Sequence, residues 1–136
     1  MFLFDTDVLS NIVKRRPSGL LLKKLSKHPR EFQYTTSINI GEIYYGANRS
    51  TRKEQIIRAF DEKVFPNVRT VAFDERAGKI FGELKAELEK QGHSCSEPDL
   101  RIAAIAIQHD MVLITGNTKH FHKIPGLRIE NWISAD

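Results

Sequence analysis

Two hydrophobic periods alternate along this chain. Apolar runs of strand length occupy 1–5, 32–36, 68–72 and 111–115, with a shorter one at 127–129. Each is bounded by polar, Gly or Pro positions and predicts a strand. The segments between them carry helical periodicity over 7–14, 20–27, 37–49 and 53–63. Ser37 stands where it can cap the third of these helices. Asp74 caps a longer one, in which Ala77, Ile80, Phe81, Leu84 and Leu88 recur at i, i+3, i+4, i+7 and i+11. That spacing makes one apolar stripe, and Gly92 lies just past its end. Residues 100–107 are apolar nearly all round, which predicts a central buried helix. Strands alternating with helices indicate an α/β fold with a parallel sheet covered on both faces. No repeat, low-complexity segment or linker interrupts the pattern, so 1–136 is expected to be a single domain.

The first strand ends abruptly in a carboxylate, Phe2-Leu3-Phe4-Asp5-Thr6-Asp7. In open α/β sheets ligands gather beyond the carboxyl ends of the strands, so Asp5 is delivered to the edge where sites form. A helix cap is its ordinary alternative, but Thr6 and Asp7 are both available for that task. Glu42 shares a helix face with Ile38, Tyr45 and Arg49, and a carboxylate on a partly apolar face needs a partner. Arg49 is the candidate for that structural role. Asp99 closes the capping pattern Ser96-Glu97-Pro98-Asp99, which needs no catalysis, although the helix dipole there also favours an ionised ligand.

The set says more than its members. Each acid stands at or near a strand-to-helix transition, which in a parallel sheet brings all three to one rim. Two carboxylates about 4 Å apart repel by roughly 4 kcal/mol at an effective dielectric near 20. Such a cluster calls for a cation, and hard oxygen ligands select Mg²⁺ or Mn²⁺ over zinc. Beyond the fourth strand, Ile114-Thr115-Gly116-Asn117 places small polar groups that can hold a water or a phosphate, or simply turn the chain.

Charge adds a partner class. Lys and Arg number 21 against 17 Asp and Glu, a net charge of +4 with a pI near 9.3. The surplus favours nucleic acid without requiring it. Lys14, Arg15, Arg16, Arg49 and Arg52 are candidate phosphate contacts, with solvated helix faces as the plain alternative. His120-x-His122 lacks a third ligand and reads as surface or substrate contact. Ser10 and Ser37 lack a His/Asp pattern, and GxGxxG and phosphate-loop motifs are absent. Cys95 is the only cysteine, which points to a reducing compartment and an inert thiol. Without a signal region or an apolar span of about 18 residues, a cytoplasmic protein with no membrane association is expected.

Four segments in order resemble the PIN-domain ribonucleases, specifically the VapC-type toxins of bacterial toxin–antitoxin pairs. They are Phe4-Asp5-Thr6-Asp7-Val8-Leu9-Ser10, Thr36-Ser37 through Gly41-Glu42-Ile43-Tyr44-Tyr45-Gly46-Ala47, Asp99-Leu100-Arg101-Ile102-Ala103-Ala104, and Leu113-Ile114-Thr115-Gly116-Asn117-Thr118-Lys119-His120-Phe121 running into Ile124-Pro125-Gly126-Leu127. The resemblance implies a PIN-like α/β/α sandwich, with a central, mostly parallel sheet of four to five strands. It implies Mg²⁺ or Mn²⁺ held by Asp5, Glu42 and Asp99, with Thr6, Asp7 and Thr115 supporting. The implied reaction is hydrolysis of tRNA or ribosomal RNA by water, in a homodimer silenced by a VapB-type antitoxin. Many members of the family carry a fourth acid at or near Asn117. Its absence puts a second metal in question, which Asp7 offsets if it faces inward. The alternative is a catalytically weakened RNA-binding module of the same fold.

Overall fold

A computed structural model describes residues 1–135. Five strands form one sheet in the order β3-β2-β1-β4-β5, and every neighbouring pair is parallel. They are β1 (Phe2–Phe4), β2 (Gln33–Thr36), β3 (Arg69–Val71), β4 (Val112–Ile114) and β5 (Ile129–Glu130). The helices are α1 (Thr6–Ile12), α2 (Gly19–Ser26), α3 (Ser37–Arg49), α4 (Lys53–Lys63), α5 (Glu75–Lys90), α6 (Glu97–Gln108) and α7 (Thr118–Phe121). The α/β class and parallel sheet expected from the pattern are therefore present. The final strand is shifted toward the C-terminus, and the short α7 has no apolar stripe that would predict it.

The period of two in the strands sorts the layers. Leu3 and Leu113 point into a core with Ala77, Leu84 and Leu88 of α5 and Leu100, Ile102 and Ile105 of α6. Their neighbours Phe4 and Ile114 point the other way, against Val8 and Leu9 of α1, Leu21 of α2, Ile43 of α3 and Phe60 of α4. A one-residue slip of β1 against β4 would exchange these faces, so the pairings Leu3–Leu113 and Phe4–Ile114 are fixed by packing. Half of the residues of helix α6 are buried, including five consecutive positions from Ile102 to Ala106. Trp132 closes the second core: it is 1% exposed, stacks on His28 at 5.1 Å and meets Phe4 edge-on at 5.6 Å.

Local signals correct two expected caps. Thr36, not Ser37, caps α3, its hydroxyl accepting from the Asn39 backbone N–H. Asp5 itself caps α1, accepting from the Thr6 N–H at 2.8 Å, so the acid does have a structural task. Asp74 and Ser96 cap α5 and α6 as expected. Among the described residues no helix is long and apolar enough to cross a membrane.

Candidate active site

In a sheet ordered 3-2-1-4-5 the chain turns in opposite directions after β1 and β4, which opens a crevice beyond their carboxyl ends. Asp5 follows β1 directly, and Thr115 follows β4. The crevice is a cavity of about 550 Å³ whose lining includes Asp5, Asp7, Glu42, Asp99 and Asn117 together with Lys14 and His120. Three segments distant in sequence thus deliver four acids to one place, and a fourth segment adds Asn117.

Hydrogen bonds from three elements fix Asp5, which is only 6% exposed. Its Oδ1 accepts from the Thr6 N–H and from the Asn39 side-chain amide at 3.1 Å, and its Oδ2 accepts from the Thr115 hydroxyl at 2.8 Å. The same Asn39 amide donates to the Thr6 hydroxyl at 2.9 Å, and that hydroxyl donates to Glu42 Oε1 at 2.8 Å. Asn39 is in turn held by Thr36, whose hydroxyl donates to its Oδ1 at 2.6 Å. A relay from Thr36 through Asn39 and Thr6 therefore orients two of the acids. The sequence pattern does not single out Asn39; its one signal is a polar amide set between Ile38 and Ile40, three positions after a capping Thr.

Arg49 does not partner Glu42. Its guanidinium lies 5.2 Å from the Tyr45 ring centroid and donates to the Tyr45 hydroxyl at 3.2 Å, because Tyr45 is one helical turn away on that face whereas Glu42 is two. Among the described residues no Lys, Arg or His lies within ion-pair distance of Glu42. Asp99 faces His120, whose Nδ1 stands 3.6 Å from its Oδ2. Asp7 faces inward: its Oδ2 accepts from the Gly116 N–H at 2.8 Å, while its buried Oδ1 has no hydrogen-bond partner among the described residues. A Cβ on Gly116 would come within 2.7 Å of that Asp7 Oδ2, so glycine alone permits this approach. Asn117 lies in the cleft wall at the start of α7, its N–H donating to the Thr115 hydroxyl.

Crowding shows in the acidities. Burial, then the charge of Asp5, pushes the Asp7 carboxyl above its ordinary range. Burial also raises Glu42, with Asp5, Asp99 and Asp7 adding to the rise and the Thr6 hydroxyl opposing it. Asp99 is likewise raised by burial and by Asp5, against lowering contributions from Ser96 and His120. The donors are all oxygens, one is buried without a partner, and negative charge is concentrated; that chemistry suits a hard divalent cation. As the side chains stand, no three His, Cys, Asp or Glu among the described residues converge closely enough to hold one.

The candidate phosphate contacts divide. Lys14 reaches the cleft. Arg15 and Arg16 lie exposed beyond the end of α1, Arg49 stacks on Tyr45, and Arg52 donates to Gln55 at 2.8 Å. The Cys95 thiol is pushed up by burial and by Asp99, in keeping with an unreactive side chain.

A parallel α/β/α sandwich with clustered acids at its switch point defines a class, and a family model confirms it: the PIN domain model matches residues 2–127, and the chain belongs to that family. Its relatives narrow the class. The chain is 32% identical over 132 residues to ribonuclease VapC2 of Haemophilus influenzae, covering 97% of this chain and 98% of that one. It is 30% identical over 138 residues to the tRNA(fMet)-specific endonuclease VapC of Salmonella typhimurium, covering 96% and 97%. Among solved structures, VapBC2 from Rickettsia felis, bound to a DNA fragment from its promoter, superposes with a TM-score of 0.89 at 29% identity, covering 96% of this chain and 98% of that one.

Proposed function

We propose that this chain is a VapC-type ribonuclease, a single-domain cytoplasmic toxin that dimerises and is silenced by a VapB-type antitoxin. It hydrolyses tRNA or ribosomal RNA with Mg²⁺ or Mn²⁺ held by Asp5, Glu42 and Asp99. The observation that carries this reading is the convergence of Asp5, Asp7, Glu42 and Asp99 on one cleft, three of them with raised pKa values and none paired with Lys or Arg among the described residues. The bound cation supplies activation of water and neutralisation of charge on the leaving oxygen.

The chain's own residues do the rest. Asn39 and Thr115 hold the Asp5 carboxylate in one orientation, and Thr6 aims Glu42. Asp7 returns to the site the negative charge that Asn117 lacks. Lys14 and Asn117, both in the cleft lining, hold the phosphate. A catalytically weakened RNA-binding module is the second reading, favoured by the neutral Asn117.

One experiment separates the two. Acids with raised folded-state values keep their protons longer in the folded protein than in the unfolded chain. The stability they contribute is present at acid pH and lost as the pH rises through the folded values. A divalent cation relieves that loss, so saturating Mn²⁺ raises the melting temperature most near about pH 7 and less near about pH 5, where protons compete. At an ion concentration about 100 times its Kd the gain corresponds to roughly 2.7 kcal/mol. The purified chain is expected to cut RNA in Mn²⁺ and not in EDTA. No thermal shift together with no cleavage would establish the second reading.

A further inference from the structure

A second cavity lies beside the carboxylate cleft. It encloses about 580 Å³ between the end of α5, the 93–96 turn, the start of α6 and α7. That volume lies within the roughly 300–1,000 Å³ of small-ligand sites. The two cavities share Asp99 and His120, which stand 3.6 Å apart as a common wall.

The charge of the neighbour is opposite to that of the cleft. His93, Lys119, His120, His122 and Lys123 line it, and Asp99 in the shared wall is its single acid. Among the described residues neither lysine has an ion-pair partner, so the cations are available to a ligand. The floor is apolar: Leu88 and Ile124 are 2% and 4% exposed, with half-buried Cys95 beside them. Two lysines and three imidazoles around an apolar floor suit a phosphate joined to a base, the lysines and ring N–H groups donating to phosphate oxygens while the base covers the floor.

A strand of RNA that presents one phosphate to the acids must carry the adjoining nucleotide past one wall of the cleft. We propose that this basic cavity is the subsite for the nucleotide next to the scissile phosphate, with Lys119, Lys123 and His122 on its phosphate and Leu88, Cys95 and Ile124 under its base. The inference rests on the ribonuclease reading above. An acidic protein segment would meet the same cations, but continuity with the cleft through Asp99 and His120 favours the RNA chain itself.

The test uses a fluorescein-labelled single-stranded RNA hexamer in EDTA, where binding proceeds without cleavage. Lys119→Ala/Lys123→Ala is expected to raise its Kd about tenfold and to shallow the salt dependence by roughly 0.7 for each phosphate left without its cation. Arg76→Ala/Lys79→Ala removes the same charge nine to twelve residues, roughly 13–18 Å, back along α5 from Leu88, and is expected to change Kd less than about twofold. Equal weakening in the two double variants would overturn the subsite. Cleavage of RNA by the unaltered chain in Mn²⁺ is a separate arm, and its failure counts against the ribonuclease reading alone.

Discussion

Asp5→Asn is expected to abolish RNA cleavage while leaving the protein at least as stable as the unaltered chain in the absence of metal. The two effects have opposite signs because the carboxylate does two jobs. Asparagine keeps the cap on α1, since its carbonyl oxygen still accepts from the Thr6 N–H and the Asn39 amide. Its new amide faces Thr115, whose hydroxyl oxygen can accept in turn. What disappears is one negative charge that raises Asp7, Glu42 and Asp99. Removing it relieves repulsion in the metal-free protein and removes a metal ligand. The fall in kcat should exceed the roughly 10–100-fold typical of residues that only orient a ligand, and the melting-temperature rise on adding Mn²⁺ should vanish. Cleavage by this variant at the unaltered rate would take Asp5 out of the reaction.

Asn39→Ala is expected to have the largest effect outside the acids. The side chain is fully buried and joins Thr36, Thr6 and Asp5. Truncation leaves the Thr36 hydroxyl without its acceptor and takes a donor from both Thr6 and Asp5. Unsatisfied buried groups cost about 1–3 kcal/mol each and are not additive, so a loss of about 2–4 kcal/mol is expected. Denaturant midpoints measure it. Because Asp5 and Glu42 lose their common support, kcat should also fall roughly 10–100-fold with KM changing less. Asn39→Asp separates the roles: it keeps the size but replaces the donor by a second carboxylate against Asp5, so its activity should fall as far as alanine's. A full loss of stability with kcat intact would reduce Asn39 to a packing residue.

The sequence made some of this legible and hid the rest for physical reasons. The apolar run Phe2-Leu3-Phe4 and the period of 3.6 from Ala77 to Leu88 report burial directly, and the structure follows both. Capping is subtler, because Thr36 and Ser37, or Asp5, Thr6 and Asp7, offer chemically similar oxygens at adjacent positions. Which of them caps depends on where the strand lets go of the backbone. Only Asp5 stands at the strand-to-helix transition expected of all three acids. Glu42 lies more than a turn into α3, and Asp99 opens α6, which follows α5 rather than a strand. The packing of α3 and α6 still brings both to the cleft, where Asp7 joins them by facing inward. Their supports are not legible, since Asn39 reads as one polar residue in an apolar helix until its three partners are in place. Charge clusters are the poorest guide: Arg49 and Arg52 find neighbours close by in the chain, whereas the basic cavity is built from residues that no hydrophobic period organises.

The pairing of β1 with β4 has a consequence for synthesis. Thr115, which locks Asp5, and Gly116, which anchors Asp7, lie 110 and 109 residues downstream of the acids they hold. A chain emerging from the ribosome carries Asp5 and Asp7 from the outset, yet their seats do not exist until the last part of the polypeptide is available. The strand pair closes over a long loop, which delays it further. The cleft is consequently among the last features to form, and a chain cut short before β4 has every acid but no assembled site.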